Sequence, residues 1–391
     1  MPRTLVDNIG LLVTNDSLND GTPLGTIHGA SFLIENGVIS WVGQSSAAPR
    51  NDVAKVIDAQ GRCIIPGFVD SHSHLIFAGD RSEEFRARMA GEKYSAGGIG
   101  YTVGLTRQAS NGQLLQNARR LIAEANASGT TTMECKSGYG LSVDDEARSL
   151  VVAKQVTDET TFLGAHVVPQ EFKDSPEDYV DLVCGPMLDA ARPNAKWIDV
   201  FCDKGAFTTE QARRILKAGM AQGLLPRVHA NQLEPGDGIM LGVELGAASV
   251  DHLSYFDDED IQALSTSNTV ATLLPAAEFS TRAVYPDARR LHEAGVDIAL
   301  ASDCNPGSAY TTNIPFIIAL AVRDLHFSPE QAIWSATKGG AIALQRTDVG
   351  HLGVGAKADF SILSTPSYIH LAYRPGVPLI DEVWRNGTRI K

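Results

Sequence analysis

The most informative segment of this chain is Cys63-Ile64-Ile65-Pro66-Gly67-Phe68-Val69-Asp70-Ser71-His72-Ser73-His74. Its apolar half predicts a buried β-strand over Ile64–Val69, and two histidines follow closely. Side chains two residues apart on an extended chain point to the same side, so His72 and His74 are expected to converge on one point. Two converging imidazoles at a strand end favour a metal site, because imidazole nitrogen is a common metal ligand.

Seven further strands are predicted along the middle of the chain, with helical stretches between most of them. Alternating strands and helices predict an α/β fold with a parallel sheet, and eight strands favour a closed, TIM-like (β/α)8 barrel. A doubly wound open sheet is the alternative, but no glycine-rich fingerprint opens a helix after the first strand. The seven strands are Thr130–Glu134, Thr161–Gly164, Trp197–Phe201, Leu225–Val228, Ala248–Asp251, Val270–Leu274 and Ile298–Ala301.

Both ends of the chain differ from the middle, because they read as short strands joined by tight turns. Asn36-Gly37 and Asn386-Gly387 each separate two strand-like runs, which is typical of β-hairpins. We therefore predict one small β-sandwich domain built from both termini. Residues 1–63 and 351–391 are assigned to it, and residues 64–350 are assigned to the barrel.

The overall composition argues against several classes of function. The 391 residues carry a net charge of −13, which disfavours a nucleic-acid or anionic-membrane surface. The five cysteines are dispersed and form no CxxC pair, which favours a reducing cytoplasm over a disulfide framework. We find neither a signal segment nor an apolar run of membrane-spanning length. We expect a cytoplasmic protein with no nucleic-acid and no membrane partner.

The predicted strand ends are unusually polar, and TIM barrels place their chemistry at the C-terminal ends of the strands. Five of the ten histidines fall at these positions. A single histidine at a strand end more often has a structural role than a functional one. Five histidines placed by chance, however, would be scattered over helices and loops rather than gathered at strand ends. The joint pattern therefore favours a shared site. The strand-end residues are His72, His74, Lys136, Tyr139, His166, His229, His252 and Asp303.

Four of these residues form a candidate set of metal ligands. His72, His74 and His229 offer three neutral nitrogens, and Asp303 offers a carboxylate. The set suits Zn²⁺ or iron, as Fe²⁺ or Fe³⁺, with one position open for water. A second metal would need a bridging ligand at the end of the fourth strand, where Asp203-Lys204 stands. One metal is the preferred interpretation.

Asp303 and His252 are the candidate catalytic residues. A metal lowers the pKa of a bound water and polarises a carbonyl, and Asp303 could take a proton from that water. His252 lies between His229 and Asp303 in barrel order, which suits a proton shuttle or an oxyanion partner. The alternative for His252 is a strand-capping role, bonded to a backbone carbonyl.

Substrate contacts are predicted on the loops that leave these strands. Arg81 follows the histidine pair, and its guanidinium could fork a substrate carboxylate. Tyr139, His166 and the loop Asn305-Pro306-Gly307-Ser308 offer hydrogen bonds. Lys136 is expected to be a substrate-binding or structural lysine. Four charged residues after Arg81 are expected on a solvated helix face: Glu83, Glu84, Arg86 and Arg88.

These residues carry a resemblance to the amidohydrolase superfamily and, within it, to the imidazolonepropionase family. The matching segments are His72–Phe85, Lys136-Ser137-Gly138-Tyr139-Gly140-Leu141, Gly164-Ala165-His166, His229-Ala230-Asn231-Gln232, Asp251-His252-Leu253 and Ser302–Ser308. The resemblance implies metal-dependent hydrolysis of the ring amide of 4-imidazolone-5-propanoate to N-formimidoyl-L-glutamate, in histidine degradation. The implied substrate is a small anion, and a homodimer is expected because dimers are common among such barrels.

The resemblance also assigns site residues. It implies that His72, His74, His229 and Asp303 bind the metal. It implies substrate contacts at Arg81, Tyr139, His166, Gln232, Asn305, Gly307 and Ser308. Tyr94 could reach the substrate carboxylate from a loop that looks a few residues shorter than is usual in the family.

Gln232 departs from the pattern, because some family members have glutamate at this position. A neutral amide cannot act as a general base, so base duty is assigned to Asp303 and His252. An aminohydrolase of a heterocyclic base is one alternative, which Gln232 and Arg81 disfavour. A non-catalytic scaffold is another, which the complete ligand set disfavours.

Overall fold

The computed structural model describes residues 3–91 and 98–391. Strands from both ends of the chain form one continuous eight-stranded sheet, in the order β17-β16-β15-β5-β1-β2-β3, with β4 also pairing with β1. The prediction that strands from both termini join in one β-structure is thereby confirmed. Its strands are β1 (Arg3–Val13), β2 (Thr26–Glu35), β3 (Val38–Gln44), β4 (Val53–Asp58), β5 (Cys63–Pro66), β15 (Phe360–Leu363), β16 (Ile380–Arg385) and β17 (Thr388–Arg389).

Aromatic side chains from both termini share the core of this sheet. Phe32 packs edge-on against Phe360 with ring centroids 5.1 Å apart, and Phe360 stacks on Trp384 at 5.6 Å. All three side chains are buried together with Ile64. Burial of these rings removes a large apolar area from water, which stabilises the packing of the two ends of the chain in one sheet.

The middle of the chain forms the predicted barrel of parallel strands, nearly closed, in the order β14-β13-β12-β11-β9-β8-β7-β6, with β10 pairing with β9. The α/β barrel class is confirmed. The strands are β6 (Phe68–Asp70), β7 (Thr130–Lys136), β8 (Glu159–Ala165), β9 (Trp197–Cys202), β10 (Leu225–Pro226), β11 (Val228–Ala230), β12 (Ser249–His252), β13 (Val270–Leu273) and β14 (Ile298–Leu300).

Helices follow most of the strands. One of them, α7, begins at a capping box in which the Thr208 hydroxyl and the Gln211 side chain each bond the other residue's backbone N–H. The helices are α1 (Ser82–Met89), α2 (Ile99–Gln108), α3 (Asn111–Ala127), α4 (Val143–Ala153), α5 (Pro176–Leu182), α6 (Leu188–Ala191), α7 (Thr209–Ala221), α8 (Gly238–Glu244), α9 (Asp258–Ser265), α10 (Pro275–Thr281), α11 (Arg289–Glu293), α12 (Ile314–Asp324), α13 (Pro329–Trp334), α14 (Gly340–Ala343) and α15 (His370–Tyr373).

The prediction of one unbroken strand over Ile64–Val69 is wrong. The chain changes sheets at Gly67: β5 pairs with β1 and β15, whereas the Phe68 N–H donates to the Gly129 carbonyl beside β7. A Cβ atom on Gly67 would overlap the Thr131 side chain, so glycine permits the close approach. A single apolar run does not reveal this change of partner.

The chain divides into two compact units, within which residues contact one another more than they contact the other unit. One contains Met1–Ser71, Ala123–Thr132 and Asn313–Lys391, and the other contains His72–Ile122 and Met133–Thr312. All described candidate site residues lie in the second unit. The predicted domain boundaries after residues 63 and 350 stay a prediction. Over residues 3–91 and 98–391, no helix has the length and apolar character needed to cross a membrane.

Helix α14 approaches the first barrel strand so closely that a side chain does not fit between them. A Cβ atom on Gly340 would overlap the backbone carbonyl oxygen of Val69. We expect Gly340→Ala to lower the free energy of unfolding by about 1–3 kcal/mol, because β6 or α14 must shift. Gly100 in α2 is exposed with open space around it, so Gly100→Ala is the matched control and should be neutral or slightly stabilising. Thermal denaturation of both variants checks the prediction, and equal melting temperatures would contradict it.

Candidate active site

The extended segments beyond β6 and β14 bring the candidate ligands together. The Asp303 N–H donates to the His72 carbonyl at 3.0 Å, and the His74 N–H donates to the Cys304 carbonyl at 2.9 Å. Ser73 and Cys304 form a parallel bridge between the same segments. Asp303 has a positive φ of 51°, which a non-glycine residue adopts at an energetic cost. These contacts place His72, His74 and Asp303 at the C-terminal end of the barrel.

Four ligand atoms converge at this end. His74 Nε2 lies 3.3 Å from His72 Nε2 and 3.4 Å from His229 Nε2. Asp303 Oδ1 lies 3.5 Å from His74 Nε2 and 3.6 Å from His72 Nε2. Four ligands bound tetrahedrally at about 2.0–2.1 Å would lie about 3.3–3.4 Å from one another. The observed separations therefore suit a single ion of the size of Zn²⁺ or iron.

The protonation states of the site also suit a cation. Burial lowers the pKa of His72 and of His74 well below the usual range, so both imidazoles stay neutral. Burial raises the pKa of the Asp303 carboxyl well above its usual range. A bound cation reverses that effect on a carboxylate, because it stabilises the charged form. Lone pairs that point at one another in a buried site are stabilised by a shared cation.

Two carboxylates lie behind the histidines, on the side away from the convergence point. Asp251 Oδ2 is 2.7 Å from His72 Nδ1, and Asp199 Oδ2 is 3.0 Å from His229 Nδ1. Neither aspartate was predicted as a site residue from the sequence. The signal was present, since Trp197-Ile198-Asp199-Val200 and Ser249-Val250-Asp251 each place a charged residue inside a buried strand. Buried charges of this kind require partners.

Two buried cations supply those partners. Lys136 Nζ lies 2.8 Å from Asp199 Oδ2 and 3.0 Å from Glu134 Oε1, and Arg227 Nη2 lies 3.4 Å from Asp251 Oδ2. Burial alone would lower the pKa of Lys136, but Asp199 and Glu134 outweigh it and raise that pKa, so the ammonium stays charged. Of the two predicted roles for Lys136, the structure places it in the structural one.

His252 and His166 flank the convergence point. The His252 ring lies 5.3 Å from that of His229 and 5.6 Å from that of His72, at a residue with a φ of 85°. His166 Nδ1 is 2.9 Å from the Gly138 carbonyl, which makes Nδ1 the donor and leaves Nε2 as an acceptor. Burial lowers the pKa of His166 to about 4, so this ring is neutral near pH 7.

Arg81 lines the same cavity as these histidines, together with Tyr139. Its Nε and Nη2 atoms donate to the Glu84 carboxylate at 2.8 and 2.7 Å, which holds one edge of the guanidinium in place. The expectation that Arg88 lies on a solvated face is wrong, because Arg88 is buried and donates to the Gly307 carbonyl at 2.7 Å.

Glu84 was also predicted to lie on a solvated helix face, but its side chain is half-buried, whereas Glu83 and Arg86 are exposed. Glu83 and Arg86 pair with each other in solvent, as expected.

The loop after β14 is organised by its own side chains. The Asn305 amide accepts from the N–H groups of Gly307 and Ser308 at 2.8 Å and donates to the Asp303 carbonyl at 2.7 Å. The Ser308 hydroxyl donates to Asp303 Oδ2 at 3.2 Å, which turns Oδ1 toward the imidazoles. A Cβ atom on Gly307 would overlap the Arg81 guanidinium, so this glycine makes room for the arginine.

Gln232 also lines the cavity. Its backbone N–H and that of Leu233 donate to Asp203 Oδ2 at 2.7 and 2.9 Å, while Lys204 pairs with Glu234 at 2.6 Å. Asp203 and Lys204 therefore hold a loop, which gives no support to a bridging role between two metals. Tyr94 lies outside the described residues.

The sequence and the structure both resemble known hydrolases. Residues 63–391 match the Amidohydrolase family. An imidazolonepropionase of Mycolicibacterium smegmatis is 62% identical over 387 residues, which cover 99% of this chain and 97% of the relative. An imidazolonepropionase of Streptomyces griseus is 59% identical, with both chains fully covered.

Solved structures support the fold at much lower identity. A guanine deaminase from C. acetobutylicum gives a TM-score of 0.75 at 15% identity, with both chains fully covered. A zinc-bound atrazine chlorohydrolase from Arthrobacter aurescens gives 0.73 at 16% identity, over 99% of this chain and 95% of that one. The family match and the sequence relatives lead to one assignment: the chain belongs to the amidohydrolase family and, within it, to the imidazolonepropionases.

Proposed function

We propose that the chain hydrolyses the ring amide of 4-imidazolone-5-propanoate to N-formimidoyl-L-glutamate, a step in L-histidine degradation. The observation that carries the proposal is the convergence of three imidazole Nε2 atoms and the Asp303 carboxylate beside a cavity lined by Arg81. The three imidazoles and the carboxylate suit metal-dependent hydrolysis. The Arg81 guanidinium suits a substrate that carries a carboxylate. Relatives named imidazolonepropionase, at 56–62% identity, support the same substrate.

The residues that would hold the metal are His72, His74, His229 and Asp303. When bound, the metal lowers the pKa of a water molecule and polarises the substrate carbonyl. Zn²⁺ and iron both accept three imidazoles and a carboxylate. The donor atoms alone do not choose between them.

Asp303 and His252 are the proposed proton carriers. The Ser308 hydroxyl fixes Asp303 Oδ2, so the carboxylate is held in position to accept a proton from the attacking water. The water oxygen adds to the ring carbonyl carbon, and the bond from that carbon to the ring nitrogen breaks. Asp303 then transfers the proton to His252, the protonated ring stabilises the charge that develops on the carbonyl oxygen, and His252 gives the proton to the departing nitrogen.

Arg81 is proposed to bind the propionate group. Glu84 occupies the Nε–Nη2 edge of its guanidinium, so the Nη1 end is presented to the substrate carboxylate. Gly307 supports that end by allowing the close approach described above. His166 would accept from a ring N–H through Nε2, because its Nδ1 is already the donor to Gly138.

The remaining contacts are proposed at Tyr139, Gln232, Asn305 and Ser308, which line or shape the same cavity. Tyr94 stays a prediction. The deaminase alternative is weaker, because Gln232 cannot shuttle protons to a leaving amine. A cytoplasmic location is proposed from the five free thiols, which suit a reducing compartment, and a homodimer stays a prediction.

The direct test is turnover by the purified, metal-loaded protein. We expect the ultraviolet absorption of 4-imidazolone-5-propanoate to decrease with time, while guanine and cytosine stay unchanged. Metal content is measured on the same sample. Full metal loading without turnover of the imidazolone would refute the proposal.

His229→Ala removes one of the four converging ligand atoms. We expect it to lose bound metal and more than about 10²-fold in kcat together, because three ligands hold the ion poorly. The matched control is His28→Ala, at an exposed histidine of β2, which should retain both. Metal analysis beside kinetics checks the result, and a His229→Ala protein with full metal content would contradict the ligand assignment.

Arg81→Lys keeps the positive charge and removes the planar fork. We expect KM to rise by about 10- to 100-fold with kcat little changed, since a charge-assisted hydrogen bond contributes about 1.5–3 kcal/mol. Arg86→Lys is the control, because Arg86 is 80% exposed and pairs only with Glu83 among the described residues. An unchanged KM for Arg81→Lys would exclude this residue from carboxylate binding.

A further inference from the structure

A cluster of charged side chains lies beneath the convergence point, and nothing in the proposed reaction uses it. Asp199, Asp251, Lys136 and Arg227 come from four different barrel strands or strand junctions, and all are fully buried. Burying isolated charges is costly, so a protein retains such a cluster only where its members satisfy one another. Here two of its members also contact the candidate metal ligands.

We propose that Asp199 and Asp251 are positioning residues that fix the tautomers of His229 and His72 for metal binding. Asp251 Oδ2 faces His72 Nδ1 at 2.7 Å, and Asp199 Oδ2 faces His229 Nδ1 at 3.0 Å. A carboxylate oxygen at this distance repels the lone pair of an imidazole nitrogen and attracts an N–H, so each Nδ1 is expected to carry the proton. Each Nε2 then presents its lone pair to the convergence point, which is the arrangement that metal binding needs.

The two buried cations, Lys136 and Arg227, pair with the same aspartate oxygens that face the histidines. Lys136 Nζ lies 2.8 Å from the same Asp199 oxygen that faces His229, and Arg227 Nη2 lies 3.4 Å from the Asp251 oxygen that faces His72. Each aspartate therefore lies between a cation and an imidazole. The cation offsets the cost of burying the anion, and the anion remains available to the imidazole.

His74 provides an internal contrast. Its Nδ1 is buried without a hydrogen-bond partner among the described residues and, unlike the Nδ1 atoms of His72 and His229, has no described ion pair with a carboxylate. The third imidazole is therefore held by packing, including the stack on His166 with ring centroids 5.3 Å apart, rather than by a carboxylate. Orientation by carboxylates acts on two of the three histidines.

Asp251→Asn and Asp199→Asn test the proposal. An amide can donate to Nδ1 as well as accept, which allows the proton to move to Nε2 and block the ligand atom. We expect the dissociation constant for Zn²⁺, measured by chelator competition, to rise by about 10- to 100-fold in each variant. This inference rests on the proposed function only in assuming that the site binds a metal. The Zn²⁺ affinity is measured without substrate, so an unchanged affinity in the variants can be distinguished from an absence of turnover in the unmodified protein.

Glu159→Gln is the matched control. Glu159 is a buried carboxylate at the start of β8, at the other end of the strand from the candidate ligands, and it accepts from Lys196 at 2.8 Å and from the Trp197 indole N–H at 3.0 Å. It should lose stability and keep its Zn²⁺ affinity. Affinities of both aspartate variants within twofold of the unmodified protein would overturn the proposal.

A measurement on the unmodified protein covers the case in which the variants do not fold. Nitrogen-15 NMR of histidine in the metal-free protein distinguishes a protonated Nδ1 from a protonated Nε2. We expect His72 and His229 to carry the proton on Nδ1. Protonation of Nε2 in either residue would overturn the proposal independently of any substitution.

Discussion

The pairing of buried aspartates with buried cations is the interaction on which the rest of this site depends. Asp199 and Asp251 each contact a cation on one side and an imidazole on the other. Neither anion would be tolerated in the barrel interior alone, since isolated buried charges cost several kcal/mol. The two aspartates contact the Nδ1 atoms of His72 and His229. Backbone hydrogen bonds between the segments beyond β6 and β14 fix the positions of His72, His74 and Asp303.

Much of the site followed from local rules. The period of two along a strand predicted that His72 and His74 converge, and the parallel barrel predicted that His229 and Asp303 meet them at the same end. Both geometries are observed, because parallel strands bring their C-terminal ends to one rim. The sheet built from both termini was also predictable, since the turn dipeptides Asn-Gly mark hairpins in either half of the chain.

Other features depend on partners that are distant in sequence. Whether Arg88 is solvated depends on the Gly307 carbonyl, and helix periodicity carries no information about that loop. The break at Gly67 depends on the approach of Thr131. Asp199 and Asp251 were visible as charges in apolar strands, but only the fold shows which imidazole each one faces. Local sequence thus predicts elements and their ends, whereas pairing across the barrel requires the structure.

The coordination of the metal is measured most directly by a crystal structure of the metal-loaded protein with anomalous scattering recorded at the metal edge. We expect one metal ion per chain, bound through the Nε2 atoms of His72, His74 and His229 and through the Asp303 carboxylate. A second ion near Asp203, or coordination through Nδ1 of His72, would contradict this assignment.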